Sequence, residues 1–232
     1  MRIQAIIRGD APSEREIRNI CQVLKRTYGN PRHGNPKRPV DDLFYIILST
    51  RTRDPKFRAT FAKLKKAFPS WNVIEAGDRP RIRRILFPAG LATLKARQIV
   101  QIASALKAHF GRVTLAPLTK MSDEEAERFL ISLPGVGRKI AKCVLMYALH
   151  RRVLPVDVHV HRLATRLGFL TKKRPDTSQE LIESVIPPEL RYGFHVNAIA
   201  HGRRICLNQR PRCNGCPLVK WCKYNLHRSL EK

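Results

Sequence analysis

Apolar residues recur at helical spacing along almost the whole chain, and that rhythm limits the fold more than any other feature. Ile17, Ile20, Cys21, Leu24 and Tyr28 follow the i, i+3, i+4, i+7 pattern, with Pro12-Ser13 ahead of them as a start signal. Ile99, Ile102, Ala103, Leu106 and Phe110 repeat it, and Gly111 stops that helix. "SDEE" at 122–125 spells a capping box ahead of Phe129, Leu130 and Leu133. The same periodicity predicts helices near 41–50, 55–67, 80–87, 138–149, 158–168, 177–186 and 189–203. Only "RIQAII" (2–7) and "VLPVDV" (153–158) read as strand-like, too few for a sheet. The chain is expected to be all-α.

Proline, glycine and charge concentrate in "GNPRHGNPKRP" (29–39), the best candidate linker. The helix before it has an apolar face and no local partner, so it must dock elsewhere, and the part of the chain holding the cysteines is the expected place. With 232 residues, 43% of them apolar and 27% charged, the chain can bury a real core. Forty-five Lys and Arg against eighteen acids leave a net charge of +27. Such a field implies a polyanionic partner. The opening "MRIQAIIRGDAPSERE" lacks the unbroken apolar core of a signal peptide, and the longest clean apolar run, "LFYIIL" (43–48), is far short of a membrane span. These features predict an intracellular protein of the cytoplasm or nucleoid, with no membrane partner.

Three local features carry chemistry. "LPGVGRKIAKCVL" (133–145) places Gly135 and Gly137 between two helices, followed at once by Arg138 and Lys139. A helix start after a glycine turn offers unpaired N–H groups and a positive dipole end, a seat for phosphate that does not read sequence. At the start of the second helix, the dipole and neighbouring Arg138 and Lys142 disfavour charge on the Lys139 amine, which favours a nucleophile. Cys206, Cys213, Cys216 and Cys222 are spaced C-x6-C-x2-C-x5-C. Four thiolates satisfy the ligand count of either a tetrahedral zinc or an iron–sulfur cluster, and spacing leaves both open. The loop between the first two, "LNQRPR", would then present Arg210 and Arg212 rigidly to phosphates. Asp157, in "LPVDVHVHRLATRLGF", reads as an N-cap for the helix carrying Leu163 and Leu167, with Arg162 as a possible ion partner. On a strand, Asp157, His159 and His161 would instead converge on a metal.

Together, the hairpin with its lysine, an aspartate at 157 and the four-cysteine spacing resemble the endonuclease III family of DNA glycosylases, over about residues 32–225. The resemblance implies two all-α domains with a DNA-binding cleft between them. Residues 32–150 would form a six-helix barrel ending in the helix-hairpin-helix. Residues 1–31 and 151–232 would form a discontinuous domain with a 4Fe-4S cluster on Cys206, Cys213, Cys216 and Cys222. It implies a monomeric enzyme acting on double-stranded DNA with a damaged base or abasic site, in base excision repair. Lys139 matches the catalytic lysine and Asp157 the catalytic aspartate. Leu133, Pro134, Gly135, Val136, Gly137 and Arg138 match the DNA-gripping hairpin. Leu91, in "AGLATLKA", matches the residue that wedges into the gap left by a flipped base. A lysine at 139 favours the bifunctional branch, with glycosylase and abasic-site lyase activity toward damaged pyrimidines.

One departure bears on lesion choice. "LSTRTRD" (48–54) puts Arg51 where the family has a glutamine that enters the vacated stack. Arginine offers only donors and a fixed charge, which favours a lesion opposite guanine. Two other functions stay open on sequence alone: a monofunctional uracil or mismatch glycosylase whose Lys139 only holds phosphate, and a non-catalytic iron–sulfur DNA-binding protein.

Overall fold

Helix α2 (Pro39–Ser49) is apolar on every side, with Val40 and Leu43 through Leu48 all buried. A helix of that kind can only sit at the centre of a bundle. In the computed structural model, which describes residues 12–52, 55–170 and 175–230, α2 packs against α3 (Lys56–Ala67), α5 (Ala92–Phe110) and α7 (Arg138–Tyr147). Helix α4 (Arg79–Leu86) lies on α5, and α6 (Asp123–Ser132) lies on α7. These six helices make up the compact unit spanning residues 34–151.

The other compact unit combines the chain up to residue 33 with everything from residue 152 onward. Its helices are α1 (Glu14–Tyr28), α8 (Val158–Arg166), α9 (Pro175–Val185), α10 (Arg191–Arg204) and α11 (Lys223–Leu230). Ile17, Ile20, Cys21 and Leu24 of α1 share a core with Leu163, Phe194, Ala198 and Leu218. Polar ties fix the same pairing. Tyr28 Oη meets His201 Nδ1 at 2.8 Å, Asn197 Nδ2 donates to Asn30 Oδ1 at 2.7 Å, and Arg18 pairs with Glu189 at 2.9 Å. The helix that lacked a local partner finds it in α10.

Local spelling explains the helix ends. Ser13–Glu16 and Ser122–Glu125 both form reciprocal capping boxes, and Gly29 and Gly111 close their helices in the left-handed conformation. Among the described residues there is no strand. In "VLPVDV", residues 153–157 form no regular structure and Val158 already begins α8; one unpaired run has nothing to make a ladder with. "RIQAII" lies outside the described residues. Helix α11 was not expected from periodicity, and α5 begins at Ala92, about two turns ahead of Ile99, where its clear apolar repeat starts.

Asp42 is a buried acid inside α2. Asn35 Nδ2 donates to its Oδ1 at 2.6 Å, while Oδ2 is buried with no hydrogen-bond partner. Burial raises its pKa from 3.8 to about 7. A folded-state value above the unfolded one means the native form holds a proton that the unfolded chain has lost. Stability therefore falls as pH rises from about 4 to about 7, by up to about 4 kcal/mol. Urea unfolding of native protein and Asp42→Asn should show a gap in favour of the variant that widens between pH 4.5 and pH 8. A pH-independent gap would mean Asp42 is ionised throughout.

Candidate nucleic-acid interface and catalytic residues

In the unit spanning residues 34–151, α6 and α7 are joined by a tight turn. Val136 N–H donates to Leu133 O at 3.1 Å, with Pro134 and Gly135 between them and Gly135 at φ +70°. Proline first and a left-handed residue second is the type II arrangement, which favours glycine at that place. A Cβ on Gly135 would also run into the Gln98 amide, whose Nε2 donates to Gly135 O at 2.7 Å. Leu133 and Val136 are buried and anchor the turn in the core, so their side chains face inward and only their backbone is offered outward.

Gly137, the N-cap of α7, has no such constraint. Its φ is −91° and a Cβ there would meet nothing within 4 Å. The first intrahelical bond runs from Ala141 N–H to Gly137 O at 3.0 Å. Ahead of it the amides of Arg138, Lys139 and Ile140 have no intrahelical acceptor, and no side chain caps them. The exposed turn is thus a bare row of donors at a positive helix end.

Lys139 is half-buried in the first turn of α7, and no described residue accepts a hydrogen bond or ion pair from its amine. Its neighbours differ. Lys142 pairs with Glu127 at 3.1 Å, and Arg138 reaches the same carboxylate at 3.7 Å. Glu127 therefore offsets the two cations expected to bear on Lys139. That carboxylate, on the preceding helix, was not visible as a partner from spacing.

Two more loops of this unit carry sequence-predicted residues. Arg51, just past α2, and Leu91, the N-cap of α5, are both exposed and both held in the left-handed region, at φ 53° and 52°. For residues with a bulky Cβ this conformation costs about 1–2 kcal/mol each. Lys95, which sequence reading passed over, lies between these loops and is buried.

In the other unit, Asp157 caps α8: its Oδ1 accepts from His159 N–H and Val160 N–H, both at 2.9 Å. Among the described residues nothing donates to Oδ2. One oxygen serves the fold and the other is uncommitted. Arg162 is not its partner; Nε donates to Cys206 O at 2.9 Å and Nη2 to Gly202 O at 3.0 Å, holding α8 to the end of α10. Nor do Asp157, His159 and His161 form a metal site. They lie on a helix, where alternate residues diverge, and His161 Nε2 meets Ser178 Oγ at 3.3 Å.

The four cysteines gather at the end of α10 and the loops after it. Cys216 is pushed up to about 11, by burial first and then by its neighbours Cys222, Cys206 and Cys213. The other three cysteines thus lie close enough to act electrostatically on Cys216. Among the described residues, no three His, Cys, Asp or Glu side chains are grouped to hold a single metal ion. Arg166 braces the loop: Nη1 donates to Cys206 Sγ at 3.1 Å and Leu207 O at 2.8 Å, and Nη2 to Asn208 O at 3.1 Å. Arg210, at φ 49°, and Arg212 are exposed on it.

Comparison with known proteins gives the family and the fold. Residues 44–188 match the family model described as HhH-GPD superfamily base excision DNA repair protein. Endonuclease III of Thermotoga maritima is 30% identical over 203 residues, covering 88% of this chain and 90% of the relative. Endonuclease III of Escherichia coli strain K12 is 29% identical over 212 residues, with 88% and 94% covered. A solved non-covalent endonuclease III–DNA complex matches with a TM-score of 0.79 at 25% identity, over 95% of this chain and 100% of the other. Among the described residues no helix is long and apolar enough to cross a membrane. On its helical architecture, its hairpin and these matches, the chain belongs to the endonuclease III family of HhH-GPD base excision DNA repair proteins.

Proposed function

We propose that, within the glycosylase and abasic-site lyase chemistry of this family, Lys139 is the nucleophile and Asp157 the electrostatic partner in removal of damaged pyrimidines from duplex DNA. The observation that carries the reading is the Lys139 amine: half-buried, beside a row of open amides, and committed to no described acceptor. The hairpin holds a phosphate, and the target nucleotide leaves the base stack. The Lys139 nitrogen bonds to sugar C1′ as the glycosidic bond breaks, and the base departs with the bonding pair. The uncommitted Asp157 oxygen stabilises positive charge developing on the sugar. The C1′–O4′ bond then breaks to give a Schiff base, with a proton passing from the nitrogen to O4′; water takes a C2′ proton, and that electron pair forms C2′=C3′ as the C3′–O bond breaks and the 3′ phosphate leaves. Borohydride added during reaction with an abasic-site duplex should leave a covalent adduct, mapped by peptide digestion to Lys139. An adduct on another amine would reassign the nucleophile, and no adduct would favour a monofunctional enzyme.

The two hairpin glycines separate folding from binding. Gly135→Ala forces a left-handed alanine and displaces Gln98, so stability should fall by about 1–2 kcal/mol. Gly137→Ala needs no conformational change and should leave stability unchanged or slightly raised. It should nonetheless weaken duplex binding, because the methyl takes space that the fold leaves open for a phosphate. Thermal melts and anisotropy titrations at fixed salt test both; unchanged affinity in Gly137→Ala would remove the hairpin from the interface.

A 4Fe-4S cluster on Cys206, Cys213, Cys216 and Cys222 is part of the same proposal. With all four ligand positions taken by cysteine, it would supply a cross-link and no open coordination site. Anaerobically purified protein should be brown and contain iron. Cys213→Ser should lose the colour and weaken folding and DNA affinity together, since the loop carrying Arg210 and Arg212 loses an anchor. Stoichiometric zinc without iron would overturn the assignment.

A further inference from the structure

Lys95 projects from the core-facing side of α5, on the same stripe as Ile99, Ile102 and Leu106, and is only 2% exposed. An apolar side chain would complete that stripe; instead the position buries an ammonium, at a cost in solvation. Burial lowers its pKa to about 8. Its hydrogen bonds are specific. Nζ donates to Leu48 O, in the last turn of α2, at 2.8 Å and to Thr52 Oγ1 at 2.7 Å. The Thr52 hydroxyl in turn donates to Ala89 O at 2.6 Å.

These bonds close two short loops onto one point. The first runs from Leu48 to Thr52 and has Arg51 at its tip. The second runs from Ala89 to the start of α5 and has Leu91 at its tip, with Lys95 N–H returning to Leu91 O at 3.0 Å. Each tip is a non-glycine residue at φ near +50°, a conformation that persists only where its surroundings over-determine it. Leu48 O also lies at the negative end of the α2 dipole, where a cation is favoured over a neutral donor. The ammonium is thus the shared post for both strained tips.

We propose that Lys95 is a positioning residue that sets the spacing between Arg51 and Leu91, so that the two side chains enter the duplex as a unit around an extruded nucleotide. This rests on the reading of Arg51 and Leu91 as the residues that enter the base stack. Lys95 touches neither DNA nor the reacting atoms. Its role differs from that of an ordinary buried residue, whose loss would lower stability and activity in parallel.

The experiment compares native protein, Lys95→Met, the double variant Arg51→Ala/Leu91→Ala, and the triple variant. Each is measured for melting temperature, intact-duplex affinity and single-turnover excision of one pyrimidine lesion. Lys95→Met should melt at or above the native temperature and bind intact duplex within about threefold. Its excision should be at least tenfold slower. In the double-alanine background, adding Lys95→Met should cost less than twofold, because the residues it positions are gone. Lys95→Gln, which keeps donors of shorter reach, serves the same comparison if methionine does not fold. Native excision in a folded Lys95 variant would overturn the proposal, as would an undiminished tenfold loss in the triple variant. If the native protein excises no base, the functional reading fails first and this inference with it.

Discussion

Replacing Asp157 by asparagine should slow base release roughly 10²–10³-fold while the protein folds and binds DNA as before. The division of labour between its two oxygens makes the expectation specific. The cap uses Oδ1 alone, which accepts both the His159 and Val160 amides. Asparagine keeps an oxygen there and is as good an N-cap as aspartate. What it removes is the negative charge, and loss of one well-placed electrostatic stabiliser costs a few kcal/mol in the transition state. Single-turnover excision and thermal melting, run together, give the answer. A native excision rate would leave Asp157 with its capping role only. A large fall in melting temperature would show that the second oxygen also serves the fold.

Lys139→Ala should remove the borohydride adduct altogether and leave duplex affinity within about tenfold, or 1.4 kcal/mol. The amine has no described partner, so its removal breaks no internal bond, and melting should be unchanged. Only one of many cations that meet the DNA backbone is lost, so affinity should drop modestly and its salt dependence by about one counterion. Adduct formation undiminished in the variant would exclude Lys139 as the nucleophile.

The residues readable in advance were those whose roles are written locally. Serine followed three positions later by glutamate specifies a helix start wherever it occurs, and Ser13 and Ser122 both form one. The hairpin is likewise local, because Pro134 and Gly135 carry their own turn chemistry. Asp157 as an N-cap was legible for the same reason. Arg162 was misassigned because its partners, Cys206 O and Gly202 O, are forty or more positions away and are backbone atoms that no pattern marks. Glu127 was overlooked because its bond to Lys142 depends on how α6 and α7 pack. Lys95 did leave a trace, a cation at a position where the helical stripe calls for an apolar residue. What it holds could be seen only once α2, the loop after it and the start of α5 were placed together.

The pairing of α1 with α10 also bears on how the protein is made. Roughly 160 residues separate the end of α1 from the start of α10. At 5–20 residues per second, the first helix waits on the order of ten to thirty seconds for its partner to leave the ribosome. In that interval Ile17, Ile20 and Leu24 have no core to enter. The middle unit carries all its helices in one uninterrupted stretch and can fold while synthesis continues. The unit with the cysteines cannot close until the chain through Cys222 has left the ribosome, so a metal held by all four enters after every helix of the middle unit has been made.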